Sequence, residues 1–205
     1  MKNKKLWLTI GVYVITFVVM IMGATFAYFS NIKTSIVTGV NDVNSGTMEI
    51  LSFKSEGPLV IEAQEFNFGF GMDSLSSNSV TTAELRAGSE KVTHHYNIKL
   101  VIDSNDFVYS ISENNAELLL KITDPEGNEV TQMDGLVHKT INDDSGFDIT
   151  NKQGSYDVIE NYEISTDDIV TQKWISELVF VNYLDKQDDN QGKTLIGRLV
   201  IETVD

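Results

Sequence analysis

The sequence of 205 residues contains no cysteine and few basic residues. Without cysteine the chain forms no disulfide, no thiolate zinc site and no cysteine nucleophile. Its 15 Lys and Arg are outnumbered by 30 Asp and Glu, which gives a formal net charge of −15. This charge repels the phosphates of nucleic acids and of anionic membrane surfaces, so we expect no nucleic-acid partner. Hydrophobic residues make up 41% of the chain, which indicates a folded protein and not a disordered acidic one.

Charged residues are also missing from a long segment near the start of the chain, Leu6 to Phe29. Lys2, Lys4 and Lys5 precede this segment. Basic residues ahead of an apolar run are typical both of a secretory signal peptide and of an N-terminal membrane anchor whose lysine end stays inside the cell. We therefore predict an N-terminal hydrophobic helix that enters the membrane through residues 6–29.

The end of this apolar segment has the small residues that a signal peptidase requires. Thr25 and Ala27 occupy alternate positions, and we expect cleavage between Ala27 and Tyr28. Residues 1–27 are then a signal peptide, and if they are not removed they are a membrane anchor with the same topology. In both cases everything after residue 30 lies outside the cytoplasm, secreted or at the surface of the cell. Cleavage removes three lysines and no acids and so changes the net charge from −15 to −18, and a secreted chain without disulfides is typical of a bacterial surface protein.

The rest of the sequence has the two-residue periodicity of β-strands that bury one face. This alternation is clearest from Val92 to Ile102. The residues expected to share one face of a strand are His94, Tyr96, Ile98, Leu100 and Ile102; Tyr156, Val158, Tyr162 and Ile164; Trp174, Leu178 and Phe180; and Leu195, Leu199 and Ile201. We interpret Lys173–Tyr183 and Thr194–Val204 as the two strands of one long hairpin with a polar connection.

Turn-forming residues separate the predicted strands at short intervals. Examples are the turn around Pro125 and Gly127 and the polar stretch from Asn142 to Gly146. About nine short strands with such turns predict an all-β fold, a two-sheet sandwich of jelly-roll or immunoglobulin-like type. In this organisation residues 46–205 form the sandwich domain and residues 28–45 form an N-terminal strand or linker.

Residues that could carry catalysis or bind metal are few. His94 and His95 are neighbours on one predicted strand, so their side chains lie on opposite faces and cannot hold one metal together. His138 is distant in sequence, and no His-Glu-x-x-His motif is present. The acidic loop Asp185–Gly192 offers oxygen ligands that suit calcium but lacks EF-hand spacing; we interpret it as a solvated loop and leave calcium binding open. We predict that the protein is not an enzyme and has no cofactor, catalytic or metal-binding residue.

The junction after the leader carries the most specific pattern in the sequence. Its two parts are Gly23-Ala24-Thr25-Phe26-Ala27-Tyr28-Phe29-Ser30 and Asn44-Ser45-Gly46-Thr47-Met48. This junction resembles the start of the TasA and camelysin-type family of bacterial surface and biofilm-matrix proteins. The resemblance covers about the first 50 residues. The leader is more hydrophobic than that family's pattern, and the stretch from Pro58 to Ser89 has no counterpart in it.

The resemblance implies a jelly-roll subunit that a dedicated signal peptidase releases from its leader. Such a subunit assembles into extracellular matrix filaments by inserting its new N-terminal strand into a neighbouring copy or a related matrix subunit. Residues 28–40 are the candidate donor strand, with Phe29, Ile32, Ile36 and Val40 as its apolar side chains. While the leader is attached the donor is held at the membrane, so cleavage is the expected trigger of assembly.

Two other functions are compatible with the same sequence. If the leader is not cleaved, the sandwich is a membrane-anchored binding or adhesion module. Some members of the resembled family are described as casein-cleaving metallopeptidases, but no metal-binding motif supports that activity in this sequence.

Overall fold

The computed structural model describes residues 49–63, 75–88, 90–112, 114–183 and 187–204. The strands in these ranges are β1 (Ile50–Ser55), β2 (Leu59–Glu62), β3 (Leu75–Arg86), β4 (Val92–Asn105), β5 (Leu118–Thr123), β6 (His138–Ile141), β7 (Asp144–Asp148), β8 (Gly154–Thr166), β9 (Ile169–Phe180) and β10 (Thr194–Thr203). A short 3-10 turn, Asp188–Asn190, precedes β10. The predicted leader helix, and the predicted strand or linker at residues 28–45, lie outside the described residues.

The strands form two antiparallel sheets that share one hydrophobic core. The large sheet has the order β1-β3-β9-β5-β7-β6, and the small sheet has the order β2-β10-β4-β8. Buried side chains from both sheets belong to a single cluster, in which Leu85 and Trp174 come from the large sheet and Leu100 and Leu199 from the small one. The predicted all-β fold with two packed sheets is therefore confirmed.

Alternation along β4 sets which residues enter the core. Tyr96, Ile98 and Leu100 are at most 1% exposed, and the residues between them lie on the outer face. A strand has this pattern when one face packs against another sheet and the other face meets water. The face predicted from the sequence is the buried one.

Aromatic rings join the two sheets near the centre of the sandwich. The rings of Tyr162 and Trp174 meet edge to face with centroids 5.0 Å apart, and Tyr96 packs against Phe53 and Tyr162 at 6.0 and 5.6 Å. Trp174 is fully buried. The prediction that Trp174 lies on the buried face of its strand is confirmed.

The predicted hairpin between Lys173–Tyr183 and Thr194–Val204 is wrong. The first strand is β9, which begins at Ile169, ends at Phe180 and pairs with β3 and β5 in the large sheet. The second is β10, which pairs with β2 and β4 in the small sheet. The polar connection therefore crosses from one sheet to the other, because the apolar faces of the two strands meet across the core and not side by side.

The strand β3 lies in a region for which we made no strand prediction. Its first half is rich in Ser and Asn, yet all 12 residues of β3 pair with β9. Alternate residues of its second half, among them Ala83 and Leu85, are fully buried. The strand is defined by its position between β1 and β9 more than by its own hydrophobic residues.

Gly146 lies where the backbone of β7 passes close to that of β5. A Cβ atom at this position would lie 2.7 Å from the carbonyl carbon and oxygen of Leu120. The next residue, Phe147, is the register partner of Leu120. Only glycine lets β7 lie this close to β5 without a shift of the backbone.

Candidate functional site

Both sheets are open, so each ends in strands that have one partner among the strands described. These edge strands are β1 and β6 in the large sheet and β2 and β8 in the small sheet. β1 has six residues, β2 and β6 have four each, and β8 has 13. β8 therefore has the longest row of backbone groups that point away from a described partner strand, and one carbonyl of β8, that of Glu163, accepts a hydrogen bond from Gln172 Nε2 at 3.0 Å. Such a row is where a further strand can add to a sheet.

β8 is firmly attached to the core although it lies at the edge. Val158 and Ile164 are buried, and the strand pairs with β4 along most of its length. A bulge interrupts this pairing at Asn161, which has a φ of 57° and donates its N–H to Asn97 Oδ1 at 2.8 Å. Bulges increase the local twist of an edge strand. The core and the bulge together fix the position and twist of this edge.

The exposed side chains of the β8 edge are acidic. The exposed acids on the strand and just after it are Asp157, Glu160, Glu163, Asp167 and Asp168. Lys99 of β4 is the register partner of Asp157, but its Nζ lies 2.7 Å from a carboxylate oxygen of Glu202. The hydrogen bond with Glu202 is the main cause that raises the pKa of Lys99. The Lys99 ammonium therefore pairs with Glu202 and does not neutralise the acids of the β8 edge.

The residues predicted to act in export and assembly precede this part of the chain. The cleavage residues Ala27 and Tyr28 and the donor side chains Phe29, Ile32, Ile36 and Val40 all lie outside the described residues. Their roles therefore stay predictions.

Each of the three histidines faces a glutamate. His94 bonds to Glu49, and His95 Nε2 lies 3.9 Å from a carboxylate oxygen of Glu163. His138 Nε2 lies 2.8 Å from Glu129 Oε1. In the described ranges no group of three or more His, Cys, Asp or Glu side chains is placed to hold a metal ion.

A buried carboxylate that the sequence analysis did not single out organises one end of the sandwich. Glu117 is fully buried, and its Oε1 accepts hydrogen bonds from the backbone N–H of Ser110 at 2.6 Å and from the Ser110 hydroxyl. Its Oε2 accepts from Gln187 Nε2 at 3.1 Å and from the Asn190 amide. Four donors around one carboxylate satisfy a group that would otherwise be costly to bury.

These bonds draw the acidic loop after β9 toward the core. Gln187 and Asn190 are buried, whereas Asp188 and Asp189 between them are exposed. Asn190 also bonds through its amide to both backbone groups of Val108, at 2.9 Å each. Within the described part of the acidic loop Asp185–Gly192, for which the sequence leaves calcium binding open, the amides of Gln187 and Asn190 therefore attach the loop to the core. The signal that could have indicated this was a lone acid, Glu117, directly before an apolar run.

A polar groove of about 550 Å³ lies on the large sheet beside the turn between β6 and β7. Its lining residues are Ser76, Ser77, Asn78, Lys121, Asp143, Asp144, Ser145, Glu177 and Val179. Lys121 and Glu177 face each other across the sheet with 4.0 Å between nitrogen and oxygen. Hydroxyl, amide and carboxylate groups of this kind suit a hydrated, hydrogen-bonding ligand better than an apolar one.

Comparisons with protein-family models, with curated proteins and with solved structures give no match to this chain. In the ranges that the structure describes, no helix has the length and apolar character needed to cross a membrane.

Proposed function

We propose that the protein is an exported structural protein of the bacterial cell surface, a subunit of extracellular matrix filaments. Its leader is removed between Ala27 and Tyr28. Residues 28–40 then add as a strand to another copy or to a related matrix subunit. The sandwich is of the jelly-roll type that the resemblance to TasA implies, and the protein has no enzymatic role.

The observation that best supports this proposal is the open edge of the sandwich. A well-packed core holds the strands in place, and an edge strand of 13 residues has one partner among the described strands. Strand addition uses such an edge through backbone hydrogen bonds, and apolar side chains of the added strand supply further contacts. A subunit that donates a strand at one end and accepts one at an edge makes a head-to-tail contact, which continues into a filament.

The composition of the chain agrees with this role. A net charge of −18 after removal of the three leader lysines, against −15 for the full chain, keeps the subunits apart in solution until a specific contact forms. A chain without cysteine has to be held together by packing and strand pairing, which the shared core of the two sheets supplies.

The experiment that tests the proposal is expression of the full chain in a bacterial host, followed by mass measurement and electron microscopy of the exported protein. We expect an N-terminus at Tyr28 and filaments. Replacing Phe29, Ile32, Ile36 and Val40 by Ser should abolish the filaments, and a matched variant with Ser at Asn31, Thr34 and Thr38 should keep them. A Tyr28 form that stays monomeric at high concentration would contradict the proposal.

A second function, a membrane-anchored binding module, is supported by the polar groove on the large sheet. In this case the leader stays attached and the sandwich presents the groove to a ligand outside the cell. An intact Met1 terminus in the membrane fraction, without filaments, would favour this function. Cleavage of casein that stops on addition of a chelator would instead favour a metallopeptidase.

A further inference from the structure

The two charge signs are unevenly distributed along the chain. The first acid in the sequence is Asp42, so all 30 acids lie from residue 42 onward, together with 11 of the 15 bases. The segment before it contains four lysines and no acid. Within the candidate donor, residues 28–40, Lys33 is the one charged side chain. The candidate donor therefore contains one base and no acid, in contrast to the acidic average of the exported chain.

The β8 edge has the opposite character. Residues 154–168 contain five acids and no base. The other edge strands differ, since β1 contains Lys54, β6 contains Lys139 and β2 contains a single acid, Glu62. Of the four edges, β8 thus carries the most negative charge and is the most complementary to residues 28–40.

The acids of β8 also restrict what can pair with this edge. Two β8 edges brought side by side would place like charges against each other, which disfavours pairing between identical edges. The acid-rich strands of the sandwich meet the same repulsion. A strand without acids is not repelled, which holds for residues 28–40 and also for the shorter edge strands β1 and β6, so charge admits the N-terminal segment and length has to distinguish it from those two.

Length points to the same pairing. The candidate donor has 13 residues, and β8 has 13, whereas β1, β2 and β6 have six, four and four. An extended strand of 13 residues covers about 40 Å. Among the edges that the structure describes, β8 is the one long enough for the whole donor to pair with it.

We propose that the free edge of β8 in one copy is the acceptor for residues 28–40 of a second copy, selected by charge and length. This inference rests on the proposed filament function, and it adds the acceptor strand and the reason for its choice. The acceptor copy's β8 then becomes an inner strand of a five-stranded sheet, with β4 on one side and the donor on the other.

Disulfide trapping can identify the acceptor strand, because the chain has no cysteine of its own. Two full-length variants are produced in the same cells. One carries Cys in the donor, as Ser30→Cys or Thr38→Cys, and the other carries Cys at either end of β8, as Ser155→Cys or Ser165→Cys. The matched acceptor controls are Ser52→Cys in β1 and Thr140→Cys in β6. Exported protein is then oxidised and separated without reducing agent.

We expect disulfide-linked dimers with a β8 cysteine and none with the β1 or β6 cysteines. Dimers that form instead through β1 or β6, or filaments without any β8 dimer, would overturn the inference and leave the filament function standing. A chain that carries both a donor and a β8 cysteine and yields only a monomeric internal disulfide, with no filaments, would overturn both.

A charge exchange tests the reason for the selection. Changing Asp157, Glu160 and Glu163 to Lys should slow filament growth at least tenfold, and adding Lys33→Glu to that variant should recover part of the rate. The matched control reverses three exposed acids elsewhere: Glu90, Asp134 and Asp189. Equal filament growth in the β8 variant, the control and the unmodified protein would show that charge does not select the donor. Circular dichroism of each variant checks that the sandwich is folded.

Discussion

Trp174 and Tyr96 form a hydrogen bond across the core of the sandwich. The indole Nε1–H of Trp174, on β9 of the large sheet, donates to the phenolic oxygen of Tyr96, on β4 of the small sheet, at 3.0 Å. The Tyr96 hydroxyl in turn donates to Gln172 Oε1 at 2.7 Å. Burial raises the pKa of Tyr96 well above its ordinary value, so the phenol stays protonated and keeps its role as a donor. One hydroxyl therefore satisfies two polar groups and links the sheets.

Replacing this hydroxyl tests the link. Tyr96→Phe leaves the Trp174 N–H and the Gln172 carbonyl oxygen without this partner, and we expect a loss of about 1–3 kcal/mol in the free energy of unfolding. Tyr156→Phe is the matched control, because its hydroxyl bonds to the carbonyl of Gln153 near solvent. Urea unfolding measures both variants, and equal losses would contradict a special role for the buried hydroxyl.

A second prediction concerns the contribution of the buried Glu117 carboxylate to stability. In Glu117→Gln one oxygen becomes an NH₂ group, which cannot accept from Ser110 or from the amides of Gln187 and Asn190. We expect a loss of about 2–3 kcal/mol, since a buried donor is left unsatisfied and a charge-assisted bond is removed. The same change at the exposed Glu90 should have little effect on thermal unfolding. Faster amide hydrogen exchange around residue 190 in Glu117→Gln would identify the loop as the part released.

Stability should fall in acid partly through Glu129. Burial raises the pKa of this carboxyl, but the hydrogen bonds from His138 and Ser145 and the charges of His138 and Lys121 outweigh it, so the pKa lies below its ordinary value of 4.5. A carboxyl whose pKa is lowered in the folded state stabilises the protein at pH values above its ordinary pKa. This contribution is lost as the pH falls through the folded-state pKa.

We therefore expect Glu129→Gln to reduce the free energy of unfolding by about 1 kcal/mol at pH 7 and to differ less from the unmodified protein at pH 3. Denaturant unfolding across this pH range measures the difference. Glu126→Gln, in the exposed turn after β5, is the control. If the difference in free energy of unfolding between Glu129→Gln and the unmodified protein grows as the pH falls, the direction assigned to the pKa shift of Glu129 is wrong.

The contact at Gly146 predicts that this glycine tolerates no side chain. A Cβ atom would lie 2.7 Å from the backbone of Leu120, so Gly146→Ala must push β7 away from β5, and we expect a loss of about 3 kcal/mol. Gly127 has a positive φ of 89° but open space around it, so Gly127→Ala should cost about 1 kcal/mol through backbone strain alone. Thermal unfolding measures the loss of stability in both variants. Similar losses in Gly146→Ala and Gly127→Ala would show that β7 moves away from β5 at little cost.

The sequence predicted the parts of the fold where one face of a strand is apolar. Tyr96, Ile98 and Leu100 alternate with polar residues because their strand separates core from water, and this pattern is visible without knowing any partner. The pairing of β9 and β10 was not predictable in the same way. Alternation identifies the buried face of each strand but does not say whether two consecutive strands lie side by side or across the core.

The candidate site was less predictable than the fold. Nothing in the order of residues shows that β8 is an edge, because this depends on which strands the whole chain brings beside β4. The run of acids from Asp157 to Asp168 is visible in the sequence, but it acquires a role only once the strand is known to have an open side. Glu117 was missed because its four donors come from positions far apart in sequence, among them Ser110 and Asn190.

The order of the small sheet has a consequence for how the protein is made. Its inner strand β10, at Thr194–Thr203, lies between β2 and β4, which come much earlier in the chain. Ile61, for example, has Leu195 as its register partner, 134 residues later in the chain. Contacts between such distant residues form slowly, and this sheet cannot be completed before the last strand is available. If the chain crosses a membrane from its N-terminus, as proposed, the small sheet would therefore stay incomplete until nearly all of the chain had crossed.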